Sequence, residues 1–405
     1  MLNFKIKKKV FLNCLATVQG ASEKKGSLSI VSNLLIENID NNFIKISATD
    51  LEISIITYCS AEIISKGKIT VNSKKIYSII KEFPENKITA SDNTSDNLYI
   101  DFIENESGMV TINYRKTIFK LTTVPAIDYP TIIDFKSEDN FDIDLKILKT
   151  LISNVIFSTA LNEDTKRNLT GVYFVLVNSN EKDYLRLVAT DGHRLSLTQF
   201  KIDYMGEKND GIYNLLKTGI IIPKKILTEI LKLDKEGVVN ILINLNNVIF
   251  EFKKQSDETN KNTKFISRLI EGKFPDYETI IPKDGYKTSI INTKKFYNSI
   301  KMVSLLAEEK SHSIELGFTE NNLLVKAVNT NIGEASDEIE IDYKGEPMNI
   351  KLNSRYIMDF IVNISEDSVS TRFNTIYTPF VIEPHVENND DKIMYTIGVF
   401  MPMRY

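Results

Sequence analysis

Ile69-Thr70-Val71-Asn72-Ser73-Lys74-Lys75-Ile76 alternates apolar and polar side chains for the length of one strand, then changes period into a helix led by lysines. The same grammar returns as Ile221-Ile222-Pro223-Lys224-Lys225-Ile226 and as Ile350-Lys351-Leu352-Asn353-Ser354-Arg355-Tyr356-Ile357. Each reads as a strand running into a capped helix. Ser73, Asn353 or Ser354 can accept from the orphan amides of the first turn, and Pro223 suits that region because it has no amide hydrogen to satisfy. A second recurring segment stands upstream of each. Phe4-Lys5-Ile6 leads into Lys8-Lys9-Val10-Phe11, Phe141-Asp142-Ile143 into Leu145-Lys146-Ile147-Leu148, and Ile290-Ile291 into Lys294-Lys295-Phe296-Tyr297. A third pattern, Ala48-Thr49-Asp50, Ala189-Thr190-Asp191 and the reduced Ala327-Val328-Asn329, follows alternating apolar residues as strand ends do. Self-similarity near one third of 405 residues makes the chain three copies of one unit.

Proline-bearing segments close the first two units: Thr123-Val124-Pro125-Ala126-Ile127-Asp128-Tyr129-Pro130 and Gly272-Lys273-Phe274-Pro275-Asp276-Tyr277. The expected domains are residues 1–127, 128–276 with the preceding linker, and 277–405. Residues 97–102, 238–252 and 322–328 alternate with period two, which is strand patterning. Each unit is thus two helices packed on a substantial antiparallel sheet, an α+β fold. Polar stretches at 178–183, 204–214, 256–263 and 387–392 look inserted and have the composition of surface loops.

Charge is sorted by element. Ile76, Ile79, Ile80 and Phe83 take one side of their helix and leave Lys74, Ser78 and Lys81 on the other. Lys146, Lys149 and Ser153 oppose Ile147, Leu151 and Val155, and Lys225, Thr228 and Lys232 oppose Ile226, Leu227, Ile230 and Leu231. Lys9 and Lys294 hold the corresponding wet faces at the start of the first and third units. Over six helical segments, 7–17, 73–82, 144–157, 223–233, 293–307 and 353–362, 15 basic residues face 4 acidic ones, although the whole chain carries −4. One such helix is an ordinary solvated face; six of one sign suit a polyanion held through its phosphates, without sequence preference.

Catalytic chemistry is absent from the motifs. His193, His312 and His385 lie far apart, and no HExxH, GxSxG or Walker pattern occurs. Asp191-Gly192-His193-Arg194, with Ser196 close by, reads first as a tight turn that tolerates positive φ and aims His193 and Arg194 outward. Glu308 with Glu309 and Asp390 with Asp391 form no metal constellation, so neither metal nor cofactor is expected. There is no Trp, no aromatic RNA-binding signature and no Cys/His finger, which removes groove reading and single-strand stacking. Cys14 and Cys59 stand alone, arguing against a disulfide framework or zinc site and for a reducing cytoplasm. With 42% hydrophobic and 26% charged residues and a pI near 5.7, the composition is globular, and no apolar run is long enough to span a membrane. The start, residues 1–21, imitates a signal peptide, but Asn13, Thr17 and Gln19 interrupt it and the pattern recurs twice downstream.

Ala189-Thr190-Asp191-Gly192-His193-Arg194-Leu195, Phe274-Pro275-Asp276-Tyr277 and Met401-Pro402-Met403-Arg404 together resemble the bacterial DNA polymerase III beta subunit, the sliding clamp family. Ser32-Asn33-Leu34-Leu35 and Ala48-Thr49-Asp50-Leu51-Glu52 extend the resemblance into the first unit. It implies a head-to-tail homodimer closing into a six-domain ring that encircles double-stranded DNA, with helices lining the hole and sheets outside. A ring that encloses its track slides under weak contacts and needs no catalytic residue; an ATP-driven loader opens it. By family position Lys25 and Arg167 join Lys9, Lys74, Lys81, Lys146, Lys149, Lys225, Lys232 and Lys294 as DNA contacts. The resemblance also implies a pocket for short peptides of the polymerase III catalytic subunit, the loader and other partners. It is formed by Leu169, Thr190, Gly192, His193, Arg194, Leu195, Pro275, Ile280, Val399, Met401, Pro402, Met403 and Arg404. Methionines re-pack around different side chains, which suits one site with several clients. Two departures stand out: Ser29 where the family has proline near the Lys25 loop, and Tyr405 in place of the usual terminal leucine. The competing classes are a three-repeat scaffold whose lysine faces bind other acidic partners, and an enzyme built on His193.

Overall fold

The computed structural model describes residues 1–22, 29–84, 99–105, 108–136, 140–161, 166–179, 181–202, 210–253, 261–282, 287–386 and 394–403. Among them are seven α-helices: α1 (Lys8–Val18), α2 (Ser73–Glu82), α3 (Leu145–Ser153), α4 (Asp210–Thr218), α5 (Lys224–Leu231), α6 (Thr293–Val303) and α7 (Ser354–Ile361). With four antiparallel sheets they make an α+β fold.

The helix starts show why strand runs into helix, with one correction. Asparagine, not serine, is the cap at the start of α2. Asn72 Oδ1 accepts the Lys75 amide at 3.1 Å, as Asn292 Oδ1 accepts that of Lys295 at 3.0 Å and Asn353 Oδ1 those of Arg355 and Tyr356 at 3.0 and 3.3 Å. Ser73, the expected cap, is fully buried and its hydroxyl has no partner among the described residues. Ser354 donates to the His312 carbonyl at 3.0 Å instead. Helix α4 is a second correction, because it begins inside the stretch 204–214 read as a loop. Ile212 and Leu216, one turn apart, are both buried, and that apolar face outweighs the polar neighbours. The stretch 178–183 is likewise the end of a hairpin, paired out to Ser179 and Lys182 with Asn178 donating to Asp183 at 2.8 Å. Most of 256–263 and all of 387–392 lie outside the described residues.

By contacts the chain divides into two compact units, Met1–Lys146 with Thr228–Arg268, and Ile147–Leu227 with Leu269–Tyr405. The expected second domain contributes to both, because its strands extend sheets on either side.

In the first unit a five-stranded sheet runs in the order Glu62–Ser65, Asn3–Lys7, Tyr99–Asn105, Met109–Tyr114, Thr117–Thr122. Phe4 and Phe102 stack at 4.8 Å beneath α1, with the Phe11 ring edge-on to both. An eight-stranded sheet places Asn140–Asp144, Val238–Ile243, Asn247–Phe252 and Thr263–Arg268 beside Ile53–Ser60, Phe43–Thr49, Asn33–Asn38 and Lys68–Asn72. The two halves join at Thr263–Arg268 against Ile53–Ser60, where Thr57 and Thr263 share a buried hydroxyl bond of 3.1 Å. Tyr129 of the first linker sinks in, its hydroxyl reaching the carbonyls of Asn33 and Ser47 at 3.2 and 3.3 Å, and burial raises its pKa. The cysteines do not stand apart as the sequence reading had them: α1 lies on strand Ile53–Ser60, and Cys14 and Cys59 meet there with Cα atoms 6.6 Å apart. Folding brings together two residues 45 positions apart.

In the second unit the eight-stranded sheet runs Ile220–Pro223, Gly171–Ser179, Lys182–Thr190, Arg194–Lys201, Met394–Phe400, Phe380–Pro384, Ser368–Phe373, Lys287–Asn292. A four-stranded sheet runs Gly333–Glu340, Asn322–Asn329, Ser313–Thr319, Met348–Asn353. Phe318, Tyr343, Phe373 and Phe380 fill the core beneath α6 and α7. α7 comes so close to the sheet that a Cβ on Gly398 would stand 2.8 Å from the Phe360 ring.

Candidate functional site

The turn from Thr190 to Arg194 is built by its own side chains. Asp191 Oδ1 accepts the amides of His193 and Arg194 at 2.9 and 3.0 Å. Thr190 Oγ1 accepts the Gly192 amide at 3.1 Å and donates to the Arg194 carbonyl at 2.7 Å. Gly192 has φ +91° with open space where a Cβ would stand, so the glycine serves the backbone angle. The first unit repeats the turn bond for bond at Thr49 to Ile53: Asp50 Oδ1 accepts the Glu52 and Ile53 amides at 3.0 and 2.7 Å, and Thr49 Oγ1 takes both of the threonine roles.

The chain's tail docks on this turn. After Phe400 pairs with Arg194, the Met401 amide donates to the His193 carbonyl at 3.0 Å and the Met403 amide to the Lys351 carbonyl at 2.9 Å. The tail is thereby stitched between the hairpin and the strand that enters α7. Leu169, Leu195 and Val399 are buried in one apolar cluster with Ala160, Phe274, Tyr277 and Val381. Phe274 stacks on Tyr173 at 4.7 Å, and Asn168 Nδ2 donates to the Lys273 carbonyl at 2.6 Å, so the second linker is clipped beside Leu169. Burial raises the Tyr277 pKa against the lowering effect of Arg186. Of the other expected pocket residues, His193, Gly192, Ile280 and Met401 are exposed, Pro275, Pro402 and Met403 half-buried, and Thr190 buried within its turn.

Two expected pocket residues need comment. Arg194 does not point outward: it is 9% exposed and turned under the hairpin, because Asp191 and α7 supply acceptors there. Arg404 lies outside the described residues. Residues that sequence reasoning missed are Tyr356 and Asp359 of α7 and Phe157, all against Arg194. A pair 165 positions apart leaves no local signal.

The basic faces are described unit by unit. In the first, Lys9, Lys74, Lys81 and Lys146 are exposed, and Lys232 is exposed while paired with Glu229 at 2.6 Å. In the second, Arg167, Lys225 and Lys294 are exposed and Lys149 is half-buried. Lys25 lies outside the described residues. No group of three or more His, Cys, Asp or Glu suited to a metal occurs among the described residues, and no helix there is long and apolar enough to cross a membrane.

Three family models cover nearly the whole chain: the DNA polymerase III beta subunit N-terminal domain over residues 2–133, the central domain over 142–276 and the C-terminal domain over 278–404. The chain belongs to the DNA polymerase III beta subunit family. The beta sliding clamp of Caulobacter vibrioides is 28% identical over 401 residues, covering 98% of this chain and 99% of that one. That of Haemophilus influenzae is 28% identical with both chains covered completely. Among solved structures, the DnaN sliding clamp of Bartonella birtlesii bound to griselimycin aligns with a TM-score of 0.86 at 28% identity over all of both chains. The beta subunit of Pseudomonas aeruginosa aligns at 0.82 and 26%, over 99% of this chain and 100% of that one. The beta-subunit fold is therefore three clamp domains, and the tail, turn and linker described above meet on it within one unit.

Proposed function

We infer that the chain is a DNA sliding clamp, a non-catalytic processivity factor. Two copies, each of three domains at 1–127, 128–276 and 277–405, close head to tail around duplex DNA. Each ring tethers the polymerase III catalytic subunit, the loader and other clients in the cytoplasm. The observation that carries the reading is a pair of open sheet edges. In each eight-stranded sheet four strands of one repeat meet four of the next: Thr263–Arg268 pairs with Ile53–Ser60, and Met394–Phe400 with Arg194–Lys201. Their counterparts by repeat position are Thr117–Thr122 and Gly333–Glu340, and each ends its sheet. Pairing the first edge of one copy with the second edge of another supplies the missing join, and two such joins close a ring.

The edges are chemically complementary. Arg115, Lys116 and Lys120 mark one, Glu334, Asp337, Glu338 and Glu340 the other. Beside the first edge is an apolar groove of about 780 Å³ lined by Ile79, Phe83, Pro84, Tyr114 and Phe119. Beside the second, Leu305 is 81% exposed on a turn packed against Gly333–Glu340. Open edges of this kind invite pairing, and a ring consumes them.

The basic helix faces support sequence-independent contact with phosphates, with Lys25 and Arg167 added by family position. The turn, linker and tail support a peptide site; the Bartonella relative was solved with griselimycin, and on this reading the same compound binds here through His193, Met401 and the Leu169, Leu195 and Val399 floor. Solution mass tests the ring directly: the expected particle is twice 46.2 kDa, and a monomer throughout the micromolar range overturns it.

A further inference from the structure

We propose that Arg194 is an internal strut of the peptide pocket rather than a contact for the peptide, and that Asp359 and Tyr356 of α7 are the positioning residues that hold it. The proposal rests on the pocket reading above and adds roles to residues outside it. All three nitrogens of the Arg194 guanidinium are engaged. Nε donates to Asp191 Oδ2 at 3.1 Å, Nη1 to Asp359 Oδ2 at 2.7 Å and Nη2 to the Phe157 carbonyl at 2.5 Å. The Tyr356 ring centre lies 4.3 Å from the guanidinium carbon and the Phe157 ring 5.6 Å away. Burying a guanidinium is costly unless its charge is answered, and here two carboxylates and a carbonyl each accept from one of its nitrogens while two aromatic rings lie against it.

The connections also run in one direction. Asp191 uses Oδ2 for the arginine and Oδ1 for the amides of His193 and Arg194, so one carboxylate transmits the position of the strut to the turn. The His193 carbonyl in turn receives the Met401 amide. A continuous path therefore leads from α7 through Asp359, Arg194 and Asp191 to the exposed His193 and Met401. Lys224 borders the same cluster, its pKa lowered chiefly by burial and further by the Arg194 charge. Asp359 is the accessible end of this path, with its side chain 46% exposed against 9% for Arg194.

The test uses the full-length dimer, with amide exchange of the unliganded protein as one readout and griselimycin affinity as the other. Asp359→Asn is expected to speed exchange at His193 and Met401 several-fold and to weaken griselimycin by about tenfold, with Asp359→Glu restoring most of both because the charge and reach return. Arg194→Met should do the same, and the double variant should be no worse than Arg194→Met alone, since both changes remove one connection. Exchange at Leu187, in the middle of the sheet, should stay unchanged in every variant and so marks intact folding. Unaltered exchange at His193 in Asp359→Asn overturns the proposal. So does tighter griselimycin binding in that variant, because an arginine released from its partner would then be the contact. If the unmodified dimer fails to bind griselimycin while Asp359→Asn still loosens the turn, the pocket reading falls and the strut stands.

Discussion

At the scale of single residues, the turn at His193 shows how little side chain is needed to expose a binding group: a threonine and an aspartate fix the backbone, a glycine supplies the angle, and the histidine is left in solvent. His193→Ala removes surface without touching those bonds. Griselimycin affinity measured by calorimetry should fall about tenfold while the dimer mass stays the same; unchanged affinity would refute the pocket assignment. Gly398 is the opposite case, where a hydrogen atom is all that fits. Gly398→Ala presses a methyl into the Phe360 ring and should cost about 1–3 kcal/mol in urea unfolding, because α7 must move off the sheet. His312 supplies a pH dependence. Burial and the nearby Arg355 lower its pKa, so the folded chain favours the neutral ring. Its contribution to stability is present above the ordinary histidine value and is lost as pH falls through the lowered one. Unfolding midpoints at pH 7.5 and 5 should therefore differ less in His312→Gln than in the unmodified chain.

At the scale of elements, the third join should break from either side. Leu305→Asp places a charge where an apolar groove is expected and should raise the dimer dissociation constant at least a hundredfold by sedimentation, and Ile118→Asp on the basic edge should do likewise. A dimer of unaltered strength in both variants would mean that copies meet elsewhere. The same scale shows what the sequence made legible. Strand-to-helix transitions at Val71, Ile222 and Leu352 were visible because period two gives way to helical spacing within a few residues, and the turn at Asp191 because Thr, Asp and Gly each have a local task. The cap at Asn72 is indistinguishable by residue type from its neighbour, because both residues are good caps and only burial of Ser73 separates them. Helix α4 is hidden because the polar stretch 204–214 holds, among its described residues, a single buried apolar residue, Ile212, and its partner Leu216 lies one turn beyond the stretch. The Cys14–Cys59 contact, the Asp359–Arg194 pair and the composite sheets depend on which segments become neighbours, and a single sequence does not encode that at any local period.

At the scale of the whole molecule, enclosure and adhesion predict opposite responses to charge. A protein that holds DNA by phosphate contacts loses affinity with salt in proportion to those contacts, with a log–log slope near −0.9 for each phosphate neutralised. A closed ring on a circle has no exit, so its residence is set by opening of the joins, and lysine contacts affect only how it slides. Lys9, Lys74 and Lys294 are the decisive residues, being exposed on α1, α2 and α6. Replacing all three by Gln, then loading the protein onto a nicked circular plasmid with an ATP-driven loader, should leave its half-life on the circle nearly unchanged even in high salt. Cutting that plasmid once should release the unmodified and the substituted protein alike, because both can run off an end. Faster loss of the substituted protein from the intact circle would show that contacts rather than closure retain it, and equal retention on cut and uncut plasmid would show that no ring had formed.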